Sequence, residues 1–115
     1  MTEQQKSLEP FKWVEHEGGK ASIILTAGIY KDEIFATRAE EGFEGSGYDW
    51  TSLAAVFLEE KMPHLADRIK FDPEGDMFSA YSDDPESLDL FILGFKEACE
   101  DDALIADLFS RAELD

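Results

Sequence analysis

Trp50, Leu53, Ala54, Phe57 and Leu58 stand at i, i+3, i+4, i+7 and i+8, which places all five on one face of an α-helix. Leu88, Phe91, Ile92, Phe95 and Cys99 make a second such stripe further on. A helix with one apolar face must bury it against another layer, so the rest of the chain has to supply that layer. The segment Phe11–His16 reads as a strand, Gly18-Gly19 as a hairpin turn, and Ala21–Ala27, with Ile23, Ile24 and Leu25, as a second strand ended by Gly28. Ile34–Arg38 reads as a third strand. Ile69–Phe71 and Met77–Tyr81 read as a second hairpin, joined by the turn-forming Asp72-Pro73-Glu74-Gly75-Asp76. Asp49 is read as the N-cap of the first helix, with Trp50 opening its first turn and Pro63 limiting it. Asp84-Pro85 opens the next helix, and Asp101 or Asp102 begins a last short one carrying Leu104, Ile105, Leu108 and Phe109. The expectation is an α+β fold: an antiparallel sheet of about five strands against two to three helices. It forms a single domain over residues 11–115, after a flexible polar segment, 1–10.

Charge narrows the function. The 115 residues carry 27 Asp and Glu against 10 Lys and Arg, a net charge of -17. Residues 1–39 hold six acids and five bases, and residues 40–115 hold twenty-one acids and five bases, so the imbalance lies almost wholly in the second segment. A phosphate backbone and an anionic membrane surface are both disfavoured, and a basic protein partner is favoured. Solubility alone is the plainer account of such acidity. One cysteine excludes an internal disulfide, and the polar start has no apolar stretch of a signal peptide. No apolar run approaches a membrane span, so the cytoplasm is the expected compartment.

The residues that invite a chemical role each have a plainer reading. Asp72, Glu74 and Asp76 alternate as ligands for a hard cation do, but an EF-hand loop needs more of them, and a solvated hairpin turn accounts for the pattern. His16 and His64 stand far apart and away from Cys99, unlike the paired ligands of a zinc site. Cys99 shares the spacing of its apolar stripe and is expected as a buried, inert thiol. Gly45-Ser46-Gly47 lacks the spacing of a nucleophile elbow, and the acids around it would repel a phosphate. No catalytic residue, metal or cofactor is expected. The segment Glu40–Trp50 stands out as a binding surface, because it sets Phe43, Tyr48 and Trp50 among glycines and acids, the ingredients of interface hot spots. Trp50 belongs more naturally to the helix stripe. The candidate partner-binding residues are Glu40, Glu41, Glu44, Tyr48 and Asp49, with Asp72, Glu74 and Asp76 of the turn.

The run Gly42-Phe43-Glu44-Gly45-Ser46-Gly47-Tyr48-Asp49-Trp50-Thr51-Ser52-Leu53-Ala54 resembles the most recognisable block of the immunity protein 51 family. Phe71-Asp72-Pro73-Glu74-Gly75-Asp76-Met77-Phe78 resembles a second block, and Ser110–Asp115 a typical ending. The resemblance runs from about Phe11 to the end. It implies an α+β protein of bacterial polymorphic toxin systems that binds a cognate toxin made by the same cell and blocks it, with no catalytic residue to carry over. Two other readings stand beside it. One is an acidic regulatory or adaptor domain with a basic protein partner; the other is a small hydrolase working through its carboxylates.

Overall fold

A computed structural model describes residues 11–26, 28 and 32–112. Four strands, β1 (Lys12–His16), β2 (Lys20–Thr26), β3 (Lys70–Phe71) and β4 (Met77–Ser82), form one antiparallel sheet in the order β1-β2-β4-β3. The helices are α1 (Asp32–Ala36), α2 (Gly47–Lys61), α3 (Pro85–Glu100) and α4 (Asp102–Phe109), with 3-10 turns at Ala39–Glu41 and Pro63–Leu65. The α+β class and the two hairpins match the expectation. The flexible segment expected at 1–10 lies outside the described residues.

The sheet has four strands rather than five, because Ile34–Arg38 does not extend. Residues Asp32–Ala36 form a short helix, and Thr37 and Arg38 follow it as a turn. Two adjacent apolar residues suit a strand or a helix equally, so tertiary contacts decide. A helical turn drops Phe35 between Trp50 and Phe109, with ring centroids 5.2 and 5.1 Å away. The acids Asp32 and Glu33 also suit a helix start.

Register sorts the strand residues onto two faces. Ala21, Ile23 and Leu25 of β2 stand opposite Ser82, Ala80 and Phe78 of β4, and all of these face inward and are buried. Facing outward, Ser22 stands between Val14 and Tyr81, and Ile24 between Lys12 and Ser79. His16 opposes Lys20, Thr26 opposes Met77, and Lys70 opposes Tyr81. The described helices pack on the inward face.

Trp50 anchors the core. Its ring lies 6.2 Å from Phe11, 6.1 Å from Phe95 and 6.5 Å from Phe78, in edge-on or tilted arrangements that suit aromatic quadrupoles. All five residues of the α2 stripe and all five of the α3 stripe are buried, Cys99 included. Asp84 and Pro85 do begin α3, although the Asp84 carboxylate accepts from the Ser87 hydroxyl at 2.7 Å rather than from a helix amide. Asp101 caps α4 by accepting from the Leu104 amide at 3.2 Å.

Candidate binding surface

Ser46, not Asp49, is the N-cap of α2, and the helix begins at Gly47. The Ser46 hydroxyl accepts from the Asp49 amide at 3.3 Å, and the Asp49 carboxylate accepts in return from the Ser46 amide at 3.3 Å. This is a reciprocal capping box, which satisfies backbone donors that a helix start leaves unpaired. Ser46-x-x-Asp49 ahead of an apolar run is its sequence signature; reading Asp49 as the cap passed over it. The same Asp49 oxygen also accepts from the Glu44 and Gly45 amides, at 2.7 and 2.8 Å. Asp49 is 4% exposed, so its charge is spent holding the loop rather than facing a partner.

Arg38 braces the loop from the other end. Its guanidinium makes a two-pronged pair with Glu41 at 2.7 and 2.8 Å, and donates to the carbonyls of Phe109 and Ala112. It also lies over the rings of Phe43 and Phe109, 4.5 and 5.0 Å from their centroids, as cation–π attraction favours. The hydrogen bond from Arg38 holds the Glu41 carboxyl below its ordinary range, and the same bond raises Arg38. Sequence reading placed Arg38 in a strand and missed this role. Phe43, expected at the binding surface, is buried against Phe109 at 4.9 Å.

Gly47 brings the two acidic connections together. Its amide donates to the Gly75 carbonyl at 2.9 Å, and a methyl group on Gly47 would run into the Met77 backbone. Only glycine permits so close an approach. The turn itself closes through Glu74 and Met77, whose amides and carbonyls exchange hydrogen bonds at 2.9 and 2.6 Å, while Gly75 adopts a left-handed φ of 49°. Glu40, Glu44, Asp72, Glu74 and Asp76 are exposed, and Tyr48, in the first turn of α2, is 44% exposed. Glu41 is exposed but engaged by Arg38, and Asp49 lies beneath the loop. The structure thus sets the exposed acids of Glu40–Glu44 and Asp72–Asp76 on two abutting connections beside Tyr48.

The other candidates sit apart. The His16 ring nitrogen Nε2 is 2.8 Å from the Ser22 hydroxyl, and His64 is exposed in the 3-10 turn after α2. Among the described residues, no group of three His, Cys, Asp or Glu side chains is arranged to hold a metal ion. None of the helices among them is long and apolar enough to cross a membrane. What the surface offers is carboxylates on braced loops beside an exposed tyrosine.

These features define a small α+β domain with exposed carboxylates on two abutting connections. The chain matches the family model described as Immunity protein 51 over residues 11–114, and it belongs to that family. No curated protein and no solved structure matches it.

Proposed function

We propose that this protein neutralises a cognate toxin by binding it, without catalysis of its own, through the acidic surface gathered at the Gly47–Gly75 contact. The carrying observation is that contact: one backbone hydrogen bond joins two acidic connections that lie apart in sequence. Glu40, Glu44, Asp72, Glu74 and Asp76 supply the charge, and Tyr48 supplies an aromatic anchor beside it. Glu41 contributes as a partly neutralised neighbour, and Asp49 by keeping the loop in shape. The protein acts in the cytoplasm of the cell that makes the toxin.

A basic nuclease suits this surface best. A cleft built to hold phosphates presents positive charge, and carboxylates can take the phosphates' places. Long-range attraction between opposite charges speeds encounter, and well-packed aromatic contacts slow release. Fast capture matters where an unbound toxin damages its own maker.

The test is co-expression with a toxin-domain protein encoded beside this gene, where one is found, followed by association kinetics of the purified pair. Glu40→Gln, Glu44→Gln, Glu74→Gln and Asp76→Asn together are expected to slow association by roughly tenfold or more and to flatten its salt dependence. An unaltered association rate in a folded variant would refute the acidic surface as the docking site. Failure of the unaltered protein to rescue cells or to co-purify with the toxin would refute the immunity reading itself.

A further inference from the structure

Leu90, 51% exposed, is the most exposed of the large hydrophobic residues described. Leu93 and Gly94 follow it at i+3 and i+4, so the three share one side of α3. Gly94 leaves the place of its missing Cβ to the Met62 methyl, which brings Met62 from the end of α2 onto the same patch. Leu93 and Met62 are half-buried. The patch is remote from the acidic connections: Gly47 opens α2 and Met62 follows its last residue, about 22 Å further along the axis. Carboxylates frame it. Glu86 stands four residues before Leu90, and Glu97 and Glu100 stand four and seven after Leu93; all three are exposed. Beside Leu93 the surface dips into an open hollow of about 400 Å³, lined by Lys96, Glu97, Glu100 and Asp101. Lys96 pairs there with Glu100 at 3.5 Å, so carboxylates outnumber cations in the hollow.

We infer that this side of α3 is a second protein-docking surface and that its occupant is a basic amphipathic helix. An apolar centre inside a charged rim is how a protein interface is built. The rim decides the partner's charge. Glu86, Glu97 and Glu100 attract Lys and Arg, and they repel both an acidic segment and a second copy of a chain of net charge -17. The outline decides the partner's form. From Glu86 to Glu100 the strip runs about 21 Å along one helix and is no wider than its side, the footprint of a helix laid alongside. Leu90 and Glu97 lie two turns apart, about 10 Å. A partner helix therefore carries an apolar residue against Leu90 and, about seven positions away, an Arg or Lys whose head enters the hollow. Above Gly94 the space is filled by the flexible Met62 thioether rather than by a fixed side chain, and a thioether can yield to an incoming anchor. This contact depends neither on the toxin reading nor on the surface beside Tyr48.

NMR titration of the purified chain with a synthetic peptide tests this without any toxin. The probe is an amphipathic peptide of about 18 residues, leucine on one face and lysine on the other, long enough to form a helix. Amide shifts should concentrate at Met62, Leu90, Leu93, Gly94 and Glu97. Leu90→Ser, at a position the core does not need, should weaken binding by roughly fivefold or more. Glu86→Gln with Glu97→Gln should also weaken it and flatten its salt dependence. A scrambled peptide of the same composition keeps the charge and loses the apolar face; it should bind more weakly and without concentrating its shifts on α3. Shifts that gather instead on Glu40–Glu44 and Asp72–Asp76 overturn the inference, because charge alone then chooses the site. Equal affinity for the two peptides overturns it too, as does a folded Leu90→Ser chain that binds as before, or no binding at all.

Discussion

The two acidic connections that meet at Gly47 are held in shape by different means. Glu40–Ser46 is braced by side chains: the Asp49 carboxylate gathers three amides beneath it, and Arg38 ties Glu41 and Phe43 to the carbonyls after α4. Asp72–Asp76 is braced by backbone, through the Glu74–Met77 exchange and the left-handed Gly75. In the first region, therefore, two acids of the sequence have structural work, and in the second all three remain turned to solvent. A carboxylate's place in an acidic run does not say which kind it is; the amides within reach of it do.

Gly47→Ala should break the comparison most severely. The added methyl meets the Met77 backbone, which cannot swing aside as a side chain would, and the two regions must separate. A loss of about 3 kcal/mol or more is expected in denaturant unfolding. Asp49→Ala comes next, removing the acceptor for three amides and half of the capping box, at about 2–3 kcal/mol, with faster proteolysis after Glu44 than after Glu74. Equal cleavage at both would show that the two regions are braced alike. Arg38→Met should cost about 1–2 kcal/mol and let the Glu41 carboxyl return upward toward its ordinary range, read by NMR titration.

The smallest effect sharpens the contrast with ordinary surface pairing. Arg111 donates to Glu60 at 2.6 and 2.7 Å and to Asp107 at 3.0 and 3.1 Å, and these bonds hold both carboxyls below their usual values. Their stabilising effect is complete above the unfolded values and is lost as pH falls through the lowered folded ones. Arg111→Met should therefore flatten that acid part of the stability profile while leaving neutral-pH loop geometry untouched. All three groups are open to water, so the change is slight.

The two helix stripes were readable because a 3.6-residue period repeats enough to exclude other forms, and both hairpins because glycine, proline and aspartate mark their turns. Ile34 and Phe35 were not readable: a pair of apolar residues has no period, and the slot between Trp50 and Phe109 exists only after folding. The acidic segments were legible as candidates, but not their division of labour. Asp49 and Glu44 look alike in sequence, and only the loop's own amides, turned inward by Gly42 and Gly45 at positive φ, distinguish them. That the two segments abut was equally hidden, since it rests on backbone atoms that every residue possesses.

The Gly47–Gly75 bond also sets the unit in which this surface can change. A synthetic peptide copying either connection alone would present half of the charge pattern in the wrong shape. On the proposed docking surface, transplanting specificity between relatives would require exchanging both stretches at once, on an unchanged support of Arg38 and Asp49. Variation at the exposed acids is cheap, and variation at the residues beneath them is not. Divergence in target choice is therefore expected to run through the first group while the second stays constant.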